Sequence, residues 1–133
     1  AAIKQGFTPD ATVAGDEVVN GARPKPFMVY KNLDLLDLWP IESVVKVDDT
    51  VGGVGEGLNA GCWSVGVSRY SNYMLINSLE EADTISEQEI QGRHEVTRQK
   101  LREAGAHYVI DSIADIEPVI ADINARLARG ERP

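Results

Sequence analysis

Asp48 and Asp49 stand side by side at the end of the apolar run Ser43-Val44-Val45-Lys46-Val47. A valine-rich run of this length predicts a buried parallel strand. The carboxyl end of such a strand is where open α/β sheets keep their ligands. Neighbouring like charges repel and call for compensation. A hard divalent cation such as Mg²⁺ would supply it, because it takes oxygen ligands and bridges to phosphates. The alternative is helix capping by Asp49 or Thr50, although a pair of acids exceeds what a cap needs. A second constellation is Arg23-Pro24-Lys25-Pro26. The Arg23 guanidinium could clamp a phosphate bidentately beside a helix N-terminus, or it could be a solvated cation next to a stiff turn. Lys25 is expected to be solvated.

Other residues suggest less. Gly55-Glu56-Gly57-Leu58-Asn59-Ala60 is a literal G-x-G-x-x-A, with Arg69 after the next predicted strand. A dinucleotide site would need its first glycine straight after the strand. Gly55 comes several residues late, and Asp48 and Asp49 would face the pyrophosphate. Lys46 is unusual in a buried strand and should either snorkel to the strand end or pair with an acid. Cys62, the sole cysteine, reads as a small core residue in a reducing compartment. His94 should be partly exposed on a helix, and His107 structural at the start of a strand. Glu80, Glu81 and Asp83 read as a solvated acidic loop.

The elements that would position these residues alternate. A short strand is predicted over Ala11-Thr12-Val13-Ala14, then a turn at Asn20-Gly21-Ala22. A helix started by Pro24 and Pro26 runs from Phe27 to Leu38. Strands are predicted over Val44–Asp48, Trp63–Val67 and His107–Ile110. Val51–Ala60 is a helix despite Gly52, Gly53, Gly55 and Gly57. Each glycine costs about 1 kcal/mol against alanine, a cost tolerated where a backbone approaches something closely. Residues 68–84 read as an irregular loop. Ser86-Glu87-Gln88-Glu89 is a capping box that opens a helix ending at Gly105. Ile116, Val119, Ile120, Ile123 and Leu127 share one face of a last helix, with Arg126 and Arg129 favourably placed near its C-terminus. This is an α/β pattern: a parallel, Rossmann-like sheet with helices on both faces.

With 133 residues and a net charge of −8, the chain reads as one globular domain long enough for a core. The acidic balance argues against non-specific nucleic-acid binding. No apolar run approaches the length of a membrane span, and Ala1-Ala2-Ile3-Lys4-Gln5 is too short and polar for an export signal. A cytoplasmic location is expected.

The order of a strand, an Arg-Pro-x-Pro helix, a strand ending in an Asp pair and a glycine-bearing helix resembles the carboxyl-terminal half of the haloacid dehalogenase superfamily core. The segments Gly21-Ala22-Arg23-Pro24-Lys25-Pro26, Val45-Lys46-Val47-Asp48-Asp49-Thr50, Asn59-Ala60-Gly61-Cys62-Trp63 and Gly105-Ala106-His107-Tyr108 narrow the resemblance to the phosphonatases, the phosphonoacetaldehyde hydrolases. The resemblance implies Mg²⁺-dependent cleavage of a carbon–phosphorus bond, giving acetaldehyde and phosphate. In that family a cap lysine forms a Schiff base with the aldehyde, and an aspartate takes the phosphoryl group. By carry-over, Arg23 would bind the phosphonyl oxygens and Asp49 the Mg²⁺, with Asp48 the second choice as metal ligand. Where some relatives carry a further Asp, four residues after the metal ligand, this chain has Gly53.

The family's nucleophilic Asp, its second-motif Ser/Thr and its cap lysine match no residue here. Asp10 and Asp16 lack the Asp-x-x-Gly-Thr setting, and Lys4, Lys25 and Lys31 lie outside the cap motif. The expectation is therefore the C-terminal part of a core domain, inactive by itself, in keeping with the lack of Met at position 1. The family dimerises through its cap, so a homodimer is expected only of the intact enzyme. The alternatives are another phosphatase or mutase of the superfamily and a receiver-like signalling module. The receiver fits poorly, because the acidic pair closes the second predicted strand and Asp111 is the only remotely placed phospho-acceptor.

Overall fold

The computed structural model describes residues 6–133; the residues 1–5 read above as unlike an export signal, Lys4 among them, lie outside that range. Three strands form one parallel sheet in the order β1-β2-β3: β1 is Val45–Asp48, β2 is Trp63–Val67 and β3 is Tyr108–Ile110. The register sets Val45 beside Trp63 and Asp48 beside Gly66, and Val67 beside Ile110. The parallel α/β sheet read from the sequence is therefore present.

Side chains of a strand alternate between its faces. On one face Trp63 and Val65 pack with Val119 and Ile123 of α5 (Ile116–Ala128), flanked by Val45, Val47, Tyr108 and Ile110. The other face is covered by α2 (Val51–Ala60) and α4 (Glu87–Glu103), with α1 (Phe27–Leu36) laid over α2. Here Val29 of α1, Ala60 of α2 and Cys62 form a second buried cluster.

The glycines of α2 let it settle onto this face. A Cβ at Gly57 would stand 2.9 Å from Ser64 Oγ and 3.0 Å from Lys46 Cβ, and one at Gly53 would overlap the Asp48 carboxylate. Helix and strand thus approach more closely than a pair of alanines would allow.

Several boundaries differ from expectation. No strand forms over residues 11–14, which pair with no strand among the described residues. Gly15–Glu17 is a single 3₁₀ turn, and Val13 lies beside α1 and β1. An isolated run with no ladder neighbour has nothing to hold it extended. Helix α1 stops at Leu36 rather than Leu38, because Asp37 turns left-handed (φ 53°) and donates its N–H back to Asp34 and Leu33. The predicted loop 68–84 contains a 3₁₀ turn, Asn72–Met74, and a four-residue helix, α3 (Leu79–Ala82). At α4 the Ser86 side chain accepts from Glu89 N–H, but the Glu89 carboxylate reaches forward to Arg93 at 2.6 Å instead of completing the box. Among the described residues no helix is long and apolar enough to cross a membrane.

Candidate active site

Strand β1 delivers Lys46 and Asp48 to the carboxyl edge of the sheet, and Asp49 lies in the turn between the strand and α2. Thr50 caps that helix, its hydroxyl oxygen accepting from Gly53 N–H at 3.0 Å. The Asp48 carboxylate in turn accepts from Thr50 N–H (3.0 Å) and from the Thr50 hydroxyl (2.7 Å). The capping reading thus holds for Thr50, with Asp48 bracing it.

Asp48 is also the centre of a charge cluster. Its Oδ2 lies 2.6 Å from Lys46 Nζ and 3.3 Å from Arg23 Nη2. Only 6% of its side chain is exposed. Burial pushes the Asp48 carboxyl up, but the hydrogen bonds from Lys46 and Thr50 and the charges of Lys46 and Arg23 outweigh it, so the acid titrates below the ordinary carboxylate range. Lys46 therefore pairs with an acid, the second of the two outcomes expected of it.

Arg23 reaches the cluster from the segment ahead of α1. Its Nε is 3.3 Å from Glu56 Oε2, and Glu56 also lies 3.7 Å from Lys46. Glu56 is 1% exposed, and its Oε1 has no hydrogen-bond partner among the described residues. Two cations and two acids balance here, and the Arg23 side chain remains 46% exposed at the strand edge.

Asp49 contrasts with its neighbour. It is half-buried, and among the described residues its carboxylate makes no ion pair or hydrogen bond. Its backbone is held by Ser71, whose buried hydroxyl donates to the Asp49 carbonyl at 2.6 Å. The Tyr73 hydroxyl accepts from Val51 N–H at 3.2 Å on the same turn. The loop after β2 therefore fixes the Asp49 turn from outside.

Arg23 and Asp48 thus meet at the end of β1, and Asp49 is the next residue along the chain. Lys25 is solvated, donating to the Asn20 carbonyl. Glu56, Ser71 and Tyr73 had not been singled out. Glu56 was detectable: Gly53, Glu56, Gly57 and Ala60 share a helix face that is otherwise small or apolar, and an acid there needs cations. Ser71 and Tyr73 belong to an irregular loop whose path no periodicity reveals.

A second polar cluster closes the ends of β2 and β3. Ser68 Oγ contacts His94 Nε2 (2.6 Å) and donates to Asp111 (3.2 Å), while Arg98 grips both Asp111 oxygens at 2.8 and 2.6 Å. The Arg98 hydrogen bonds hold the Asp111 carboxyl down to about 2. His94 is thus a half-buried partner of Ser68. Ser68 is fully buried, so this cluster ties α4 to two strand ends. His107 is structural, its Nδ1 accepting from Ser64 N–H at 2.9 Å.

No family model matches the chain. It is 47% identical over 134 residues to a phosphonoacetaldehyde hydrolase of Paraburkholderia xenovorans, covering 99% of this chain and 49% of the relative. With the enzyme of that name from Aeromonas hydrophila the identity is 50% over 133 residues, covering 100% and 47%. The chain spans about half the length of these curated relatives. The crystal structure of a phosphonoacetaldehyde hydrolase-like protein from Oleispira antarctica superposes with a TM-score of 0.91 at 46% identity, covering 99% of this chain and 47% of the other. Over its whole length, then, this chain is a relative of the phosphonoacetaldehyde hydrolases, matching about half of each.

Proposed function

We propose that these residues form the phosphonate- and cation-binding half of a phosphonoacetaldehyde hydrolase, which cleaves the C–P bond of phosphonoacetaldehyde with water to give acetaldehyde and phosphate. The observation that carries this is a half-exposed Arg23 held at the end of β1, next to an Asp49 whose carboxylate has no ion pair or hydrogen bond among the described residues, in a chain so similar to enzymes of that name.

Arg23 binds the phosphonyl oxygens through the guanidinium nitrogens left free by its acids. Asp49 fits a hard cation, since its carboxylate is an unengaged oxygen donor. Mg²⁺ is held by one or two carboxylates together with water and phosphate oxygens, so one free carboxylate from this half is sufficient. Asp48 does not fit in the same way, because both its oxygens are taken by Lys46, Thr50 and Arg23. When bound, Mg²⁺ would neutralise charge on the transferring phosphoryl group. The nucleophilic Asp and the Schiff-base Lys match no residue of this chain, so on this reading both come from the other half and residues 1–133 are inactive alone.

The test is phosphate and acetaldehyde release from phosphonoacetaldehyde, measured on the full-length protein and on the 133-residue chain. Mg²⁺-dependent turnover by the former and none by the latter is expected. Borohydride should trap a lysine adduct in the full-length protein; turnover of ordinary phosphate esters without such an adduct would point to another superfamily phosphatase. Turnover by the 133-residue chain at an enzymatic rate would refute the division of labour.

A further inference from the structure

We infer that Glu56 is a positioning residue that, with Asp48, aims the Arg23 guanidinium at the phosphonate. The inference rests on the reading of Arg23 as the phosphonate-binding residue. A fully buried carboxylate is among the rarest occupants of a protein interior and persists where it is paired. Glu56 occupies a helix face whose other members are Gly53, Gly57 and Ala60, and its Oε1 has no hydrogen-bond partner among the described residues. Its engaged oxygen, Oε2, meets Arg23 Nε at 3.3 Å and Lys46 Nζ at 3.7 Å.

The geometry assigns a division of the guanidinium. Nε goes to Glu56 and Nη2 to Asp48, so the two acids hold one edge of the planar fork. Nη1 has no partner among the described residues. Two ion-pair contacts along one edge restrict rotation of the guanidinium about its long stem and bias the direction of its remaining donors. Lys46 sits between the same two acids. It cancels the charge that Arg23 alone would leave, so the acids can hold Arg23 without adding net negative charge beside an anionic substrate.

The experiment is a double-variant cycle on the full-length protein, read as the inhibition constant of inorganic phosphate and as KM and kcat for phosphonoacetaldehyde. Glu56→Gln keeps the shape and removes the charge. It should raise the phosphate inhibition constant and KM by about tenfold, the scale of coupling between contacting charged groups, and leave the Mg²⁺ requirement unchanged. In an Arg23→Ala background it should change phosphate inhibition no further, because nothing remains to be aimed. Additive effects of the two substitutions, or wild-type phosphate inhibition in Glu56→Gln, would overturn the inference. If Glu56→Gln proves too unstable to assay, Arg23→Lys reports on the same contact: an ammonium keeps the charge but lacks the fork, so it should bind phosphate about tenfold more weakly. Wild-type phosphate inhibition in Arg23→Lys would overturn the inference equally. Arg23→Ala with unchanged phosphate inhibition would instead defeat the reading of Arg23 itself, which separates the two failures.

Discussion

Gly53→Ala should destabilise this chain although alanine is the better helix former. Gly53 lies in the first turn of α2, and exchanging it for alanine would by propensity alone gain about 1 kcal/mol. The added Cβ, however, would overlap the carboxylate of Asp48. That carboxylate cannot swing aside freely. It is held by Lys46 Nζ at 2.6 Å, by the Thr50 hydroxyl at 2.7 Å, by Thr50 N–H at 3.0 Å and by Arg23 at 3.3 Å. Displacing it breaks a largely buried ion pair, which costs about 3–5 kcal/mol when one partner is lost. The net expectation is a loss of about 2–4 kcal/mol, or roughly 10 °C in Tm for a domain of this size. Urea unfolding followed by circular dichroism should show a lower midpoint with the slope unchanged. The same substitution in an Asp48→Gly background should reverse sign and stabilise by about 1 kcal/mol, since the obstruction is gone. A rise in the urea midpoint for Gly53→Ala alone, or an equal loss in both backgrounds, would refute the reasoning.

Further outcomes follow from the same contacts. On the proposed reading, Asp49→Asn in the full-length protein should weaken Mg²⁺ binding at least tenfold, about 1.4 kcal/mol, by titration calorimetry; unchanged affinity would refute the proposal that Asp49 holds the cation. Burial, and then the Arg126 charge, lower the His107 pKa, so the unfolded chain takes up this proton first. The His107 contribution to stability is therefore present above the unfolded value of about 6.5 and is lost as pH falls through the folded value. An NMR titration should place the His107 midpoint below that of a free imidazole, and a midpoint at or above it would contradict the dominance of burial and the Arg126 charge. Asp111, held down to about 2 chiefly by Arg98, gives stability that is present above the unfolded value of about 3.8 and is lost toward pH about 2. Arg98→Ala should return its carboxyl toward that unfolded value in a carbon-detected titration. The accompanying change in stability should stay below about 1 kcal/mol, because the pair is well solvated.

Where the sequence carried its own periodicity, it gave the fold reliably. The last helix appears where the spacing of Ile116, Val119, Ile123 and Leu127 predicts it, and Ser86 opens α4 as its capping signal predicts, because helical spacing and capping are local signals. The strand expected at residues 11–14 failed for the opposite reason, since a strand exists only through a neighbour. At the candidate site, the placement of Asp49 beside a strand end and of Arg23 ahead of a helix was legible from residue type and from position at an element end. What set Asp48 apart from Asp49 was not legible. Asp48 closes β1 and meets Lys46, Arg23 and Thr50, whereas Asp49 lies in the turn beyond the strand and among the described residues meets none of them. Ser71 and Tyr73 were hidden because their role depends on how a loop folds back over the Asp49 turn.

The shared space of Asp48 and Gly53 also constrains how such a site can diverge. Positions 48 and 53 cannot drift independently. An Asp introduced at 53 while Asp48 is present would drive its Cβ into the Asp48 carboxylate, whereas losing Asp48 first leaves room for a small residue to follow. The passable order is therefore fixed: the strand-end acid must leave before the helix acid arrives. Among descendants of a common ancestor, the acid is expected at one position or the other and not at both.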